Sequence, residues 1–259
     1  VKNAVAASVY IKHLTSAERA ALPASANDSA EIRYGIPPDC ATPTSCVFGA
    51  KSSSKVIVLY GDSHARMWLP AIIPAAKAHG LKVVIVGEIG CPFANITLPG
   101  LQAHCDADRP GFVTTIKALK PMAIILSERT TYDAVPAASW QQAVTSAIQS
   151  FAPTKVAVIG DNQVIRFSPP QCLAAFPNSV QRCTEPNPNT TTPGQETAER
   201  AAAKAAGSLY VDPTPWLCTK TKCSPVISRF LAYWNPYHVS VTYAAYLATV
   251  MGSALKTVL

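Results

Sequence analysis

An α/β protein built on a parallel sheet is predicted by two features of the sequence. Short apolar, largely β-branched runs alternate with helical segments, and the first of these runs stops at a Gly-Asp-Ser corner. Strands that alternate with helices pair in parallel, and their ligand sites lie outside the strand carboxyl ends. With 259 residues, 49% of them hydrophobic, the chain supports one large core and is not disordered.

The first strand is predicted over 55–60, where Val56-Ile57-Val58-Leu59-Tyr60 form a continuous apolar run. Gly61 permits the tight turn that ends it. A helix over 65–79 closes at Gly80, followed by a strand over 82–87 and a cysteine-bounded loop over 91–105. The rhythm then repeats, with a helix near 110–119, a strand over 122–127, a helix over 137–150 and a strand over 155–160. A helix over 195–206, a strand over 208–211 and a helix over 240–257 complete the order. Val1 to Ala30 carries only a weak helical pattern.

Ser63 stands at the predicted carboxyl edge of the first strand, where the first amides of the next helix stabilise developing negative charge. Gly, Asp and Ser are also common turn formers, so the corner alone does not establish chemistry. A serine needs a neighbouring base at neutral pH, and His238, just before the terminal helix, has the pKa range for that work.

Together, Gly61-Asp62-Ser63-His64 and the late Asn235-Pro236-Tyr237-His238 resemble the first and last blocks of the SGNH hydrolase superfamily. Gly90-Cys91-Pro92, the Pro-Pro-Gln-Cys-Leu segment at 169–173 and Asp212-Pro213-Thr214-Pro215-Trp216-Leu217-Cys218 are similar to one branch of it. That branch is the extracytoplasmic SGNH domain fused to acyltransferase-3 membrane proteins of bacteria, with an actinobacterial source implied here. The resemblance runs from about Cys40 to the end. It implies a three-layer α/β/α sandwich around a central parallel sheet, residues 39–259 as the SGNH-like domain, and residues 1–38 as a linker or extension from a membrane domain. It also implies O-acyl chemistry on a cell-envelope polysaccharide or glycolipid, with the acyl donor delivered by the acyltransferase-3 domain of the same full-length protein. No cofactor is implied, and the setting is extracytoplasmic and membrane-tethered.

The family's last block reads Asp-x-x-His, whereas this chain has Asn235. An amide oxygen accepts the imidazole Nδ1–H without supplying charge, and a turned amide enforces the wrong tautomer. Three outcomes stay open: a Ser63–His238 dyad oriented by Asn235 or a backbone carbonyl, substitution by another carboxylate such as Asp212, or a weakened enzyme. The dyad is favoured, because Ser63 and His238 are both present, whereas Asp212 precedes Pro213 and Pro215 in what reads as a structural turn. After the 122–127 strand comes Glu128-Arg129-Thr130 where many relatives have Gly-x-Asn-Asp. The oxyanion donors are then the Ser63 N–H and the Gly90 region. Asp62, His64, Arg129, Trp234 and Tyr237 are candidate substrate contacts.

Eight cysteines form an even set whose spacing suggests local pairs: Cys40 with Cys46, Cys91 with Cys105, Cys172 with Cys183, and Cys218 with Cys223. Other connectivities are open to the same set. Disulfides persist in oxidising compartments and staple poorly cored loops such as the Pro-rich segment over 168–193. A metal site is disfavoured, since no Cys-x-x-Cys pair occurs. No apolar run approaches the length of about 18 residues that suggests a membrane-spanning helix. Net charge is +7, from 22 basic and 15 acidic residues, which favours anionic envelope polymers. No nucleic-acid pattern or phosphate loop occurs. The sequence therefore points to a serine O-acyltransferase, with an esterase or a catalytically weak glycan-binding module as alternatives.

Overall fold

The computed structural model describes residues 1–41, 46–98, 104–132, 135–186 and 193–259. Parts of the expected loop 91–105 and of the Pro-rich segment 168–193 lie outside the described residues. In chain order the strands are β1 (Val47–Gly49), β2 (Val56–Gly61), β3 (Lys82–Val86), β4 (Ala123–Ser127), β5 (Lys155–Ile159), β6 (Glu185–Pro186), β7 (Leu209–Val211), β8 (Lys222–Cys223), β9 (Val226–Ile227) and β10 (Phe230–Leu231). The helices are α1 (Lys2–Ser8), α2 (Ser16–Ser25), α3 (Ala30–Tyr34), α4 (Ser63–Arg66), α5 (Leu69–Ala78), α6 (Cys105–Ala118), α7 (Ala137–Gln149), α8 (Pro169–Ala175), α9 (Pro193–Ala205), α10 (Thr214–Leu217), α11 (Val241–Tyr246) and α12 (Ala248–Leu255).

Six strands form the central sheet in the order β1-β3-β2-β4-β5-β7. All neighbours pair in parallel except β1, which runs antiparallel to β3 at the edge. Continuous apolar runs form these strands because both sheet faces are covered. Ile57, Leu59, Val83, Ile85, Ile125 and Ile159 pack on one side with α5, α11 and α12. Val58, Tyr60, Val84, Val86, Ile124 and Val158 pack on the other with α6, α7 and α9. This period-2 division produces the expected three-layer α/β/α sandwich.

Strand β2 has β3 on one side and β4 on the other, so the chain changes winding direction at its carboxyl end. Such a switch point opens the crevice in which α/β sheets bind ligands. Gly61 lies there at φ 148°, and a Cβ on it would run into the Ser127 carbonyl oxygen of β4. Only glycine lets the two strand ends approach this closely.

Two long helices expected from the sequence are broken. The 65–79 segment divides into α4, which begins at Ser63, and α5, because Pro70 in the first turn of α5 brings no N–H to continue the ladder. The 240–257 segment divides at Leu247. The weak pattern over 1–30 becomes α1, α2 and α3, which place Val5, Ala30 and Ile36 in the main core and Leu14 and Leu22 in a smaller one. Four disulfides join Cys40–Cys46, Cys91–Cys105, Cys172–Cys183 and Cys218–Cys223.

Candidate active site

Asp62 caps α4: its Oδ1 accepts the His64 N–H at 2.8 Å and its Oδ2 accepts the Arg129 N–H at 3.0 Å. One carboxylate thus fastens the end of β2 to the end of β4. Burial pushes the Asp62 pKa up, against the opposing pull of His64 and of these two amides. Ser63, the first residue of α4, is held between them with its own N–H lacking an intrahelical acceptor.

His238 reaches Ser63 from a hairpin in which Tyr233 bridges Val239 and the Trp234 N–H donates to the His238 carbonyl. Its Nε2 lies 2.8 Å from Ser63 Oγ. Asn235 Oδ1 accepts the backbone N–H of Tyr237 and of His238, each at 2.8 Å, and lies 3.0 Å from His238 Nδ1. Two backbone donors identify that atom as oxygen, since an amide NH2 could not receive them. The ring proton must then be on Nδ1, which leaves the Nε2 lone pair facing the serine hydroxyl. Asn235 therefore fixes the tautomer that presents the Nε2 lone pair to Ser63, although it adds no negative charge. Asp212, the alternative carboxylate, is instead occupied by Arg200 at 3.0 Å and the Thr214 N–H at 2.9 Å.

The sequence reading missed Asp161, at the end of β5. Its Oδ1 lies 2.6 Å from His64 Nδ1 and also accepts the Asn162 N–H, while its Oδ2 accepts both the N–H and hydroxyl of Thr130. The one available signal was its place in Gly160-Asp161-Asn162 at a strand carboxyl end, the position also held by Asp62. Burial pulls the His64 pKa down, but the Asp161 charge and hydrogen bond, aided by Asp62, leave it raised. His238 is held well below its ordinary range, first by burial and then by the charges of His64 and Arg129.

Of the expected substrate contacts, Asp62 and His64 are each 1% exposed and engaged internally, so they form the floor beneath the cleft and do not line it. Trp234 stacks on His238 at 5.5 Å between ring centroids. Arg129 is half-buried, with Nε donating to Thr131 Oγ1 at 2.5 Å and Cζ lying 4.6 Å from the Tyr237 ring centre. Gly90 is in the loop after β3, at φ 80°. The fully buried Glu128 anchors that loop by accepting the Ala94 N–H at 2.8 Å, and burial drives its pKa well above the carboxylate range. Away from this cleft, Glu88, His104 and Asp108 bring three ligand atoms within 4.8 Å of one another, without a second feature that marks a metal site.

The family model described as "SGNH domain (fused to AT3 domains)" matches residues 32–252, well over half of the chain. The chain belongs to this family. The SGNH domain is similar in structure to the periplasmic domain of a lipopolysaccharide acetyltransferase from Salmonella ser. Paratyphi A, with a TM-score of 0.65 and 13% identity over 80% of this chain and 85% of that one. At that identity the likeness establishes the fold. A carbohydrate acetylesterase family member from Sinorhizobium meliloti aligns with a TM-score of 0.47 and 14% identity, covering 79% of this chain and 99% of the esterase. No curated protein sequence matches the SGNH domain.

Proposed function

We propose that this SGNH domain is a serine-dependent O-acyltransferase that moves an acyl group, acetyl in the simplest case, onto a hydroxyl of a cell-envelope carbohydrate. The carrying observation is the 2.8 Å contact between Ser63 Oγ and a His238 Nε2 whose tautomer Asn235 fixes. The fold likeness to a lipopolysaccharide acetyltransferase domain supports the choice of substrate class.

In this reading Ser63 Oγ attacks the acyl carbonyl as His238 Nε2 takes its proton. The leaving alcohol then takes that proton as the donor bond breaks, which leaves an acyl-serine. A sugar hydroxyl attacks next, gives its proton to His238, and the proton returns to Ser63 Oγ as the ester transfers. Water as the acceptor makes the same site an esterase. The Ser63 N–H and a backbone N–H of the Gly90 region receive the oxyanion. Asn235 holds the ring but leaves the imidazolium without a carboxylate, so turnover is slower than in a site with aspartate.

The AT3 membrane domain of the full-length protein delivers the acyl donor and tethers the SGNH domain on the extracytoplasmic side. Four disulfides fit that oxidising setting. Among the described residues no helix is long and apolar enough to cross a membrane.

The test is intact-mass spectrometry after exposure to p-nitrophenyl acetate, with p-nitrophenol release followed in parallel. An acetyl adduct or turnover that disappears in Ser63→Ala is expected. Absence of both in the wild type would overturn the enzyme reading in favour of a glycan-binding module, which the lack of an acid at position 235 would then explain.

A further inference from the structure

Among the described residues three arginines are buried or half-buried, and they differ in what their guanidinium groups hold. Arg66 donates from both Nη atoms to the carbonyls of Pro37, Pro38 and Gly87. Arg109 donates from both to Asn95, Asp106 and Ile96. Arg129 is fixed without being satisfied. Its Nε is tied to Thr131, and its Cζ lies 4.6 Å and 5.4 Å from the ring centres of Tyr237 and Tyr132, yet neither Nη donates to a described residue.

The acids beside it do not neutralise it. Asp62 spends its oxygens on the His64 and Arg129 backbone amides, and Asp161 spends its own on His64, Thr130 and Asn162. Glu128 is turned into the interior toward the Ala94 N–H. No described carboxylate lies within ion-pair distance of Arg129. The result is an oriented cation with both Nη atoms free, one residue from His238 through Tyr237 and one from Ser63 through Asp62.

A planar guanidinium with two free Nη atoms matches a carboxylate bidentately, and aromatic contacts that fix the side chain in advance reduce the entropy lost on binding. We propose that Arg129 is a specificity-determining residue whose Nη pair holds a sugar carboxylate, so that the acyl acceptor is an acidic, uronate-bearing glycan. This rests on the acyl-transfer reading and adds the substrate class to it. The net charge of +7 draws the domain to such polyanions before docking. Trp234, stacked on His238, supplies an aromatic surface for the sugar ring beside the carboxylate.

The test uses p-nitrophenyl acetate as donor and offers three acceptors: a uronate oligosaccharide, the same oligosaccharide with its carboxylates reduced to hydroxymethyl groups, and a phosphorylated neutral oligosaccharide. Acetylated products are quantified by mass spectrometry in wild type, Arg129→Lys and Arg129→Gln. The wild type should favour the uronate over its reduced form at least tenfold, equivalent to about 1.4 kcal/mol. Arg129→Lys should retain part of that ratio and Arg129→Gln should lose it. A wild-type ratio near one, a ratio that survives in Arg129→Gln, or a preference for the phosphorylated sugar would each overturn the proposal. Failure of the acyl reading is seen separately, as no p-nitrophenol release from wild type with any acceptor. In that event calorimetric binding of the uronate and reduced oligosaccharides decides: preference for the uronate that is lost in Arg129→Gln sustains the assignment, and equal or absent binding overturns it.

Discussion

The imidazole rings of His64 and His238 stand 4.6 Å apart, inclined at 52°, and it is His64, not the ring facing Ser63, that has a carboxylate partner. In the proposed acyl transfer, the negative charge that would steady the His238 imidazolium is attached to its neighbour instead. The raised pKa of His64 and the depressed pKa of His238 follow from this arrangement, with burial acting on both and Arg129 opposing protonation of each.

A base held below its ordinary range stays unprotonated into mildly acidic solution. The acid limb of kcat/KM should therefore lie at lower pH than an unperturbed histidine gives. Replacing His64 with Asn removes one of the two cations that depress His238, so its pKa rises and the acid limb moves to higher pH. A pH–rate profile of His64→Asn with p-nitrophenyl acetate checks this, and a limb that stays in place or moves downward would disprove the coupling.

The His64–Asp161 pair also has a signature in stability. Because the folded-state pKa of His64 is raised, its contribution is fully present below the unfolded value of about 6.5 and is lost as pH rises through the folded value. Asp161→Asn should lower Tm, and the His64-dependent part of that difference should shrink as pH is raised through the folded pKa. Thermal melts of both proteins across mildly acidic to alkaline pH supply the comparison. A gap that widens with pH would contradict this account.

Asn235 invites the reverse substitution. Asn235→Asp keeps an oxygen acceptor for the Tyr237 and His238 amides and adds the missing charge beside His238 Nδ1. In serine proteases the loss of aspartate costs about 10⁴ in kcat through the wrong tautomer, but here the tautomer is already correct. The gain should therefore be smaller, about tenfold to a hundredfold in deacylation or turnover. Asn235→Ala should instead slow turnover and lower Tm, since three hydrogen bonds leave the hairpin. Single-turnover kinetics and melting curves on the two variants distinguish charge from scaffolding.

The parallel strands were legible because both faces of the sheet are covered, so apolar runs such as Val56–Tyr60 stand out without reference to partners. Strand β1 was not, since Val47–Gly49 is short, half-buried and defined by its pairing with Val83. Ser63, His238 and Asn235 could be read because each occupies a local corner with its own backbone logic. Asp161 could not be read in the same way: its role arises from contacts across the sheet with His64, 97 residues earlier, and with Thr130. Arg129 was visible as a charge at a strand end, but its unsatisfied Nη atoms emerge only when the partners of neighbouring acids are known. The helix breaks at Met67–Trp68 and Leu247 had weak signals, of which Pro70 was the clearest.

Gly61 gives the most severe prediction for the scaffold. Its φ of 148° is a conformation that residues with side chains rarely adopt, and a Cβ there would overlap the Ser127 carbonyl oxygen, a rigid part of β4. The Gly87 backbone packs closely against the Gly61 carbonyl from the β3 side, so the residue cannot move away in that direction. Gly61→Ala should cost about 3 kcal/mol or more, as backbone strain and a steric overlap are imposed together. In a chain of this size that lowers Tm by about 6–12 °C. Activity should fall further than stability, because displacement of β2 from β4 moves Asp62 and with it Ser63 away from His238. A folded Gly61→Ala protein with wild-type Tm and turnover would show that the corner tolerates a side chain and that the close approach of β2 and β4 does not position the serine.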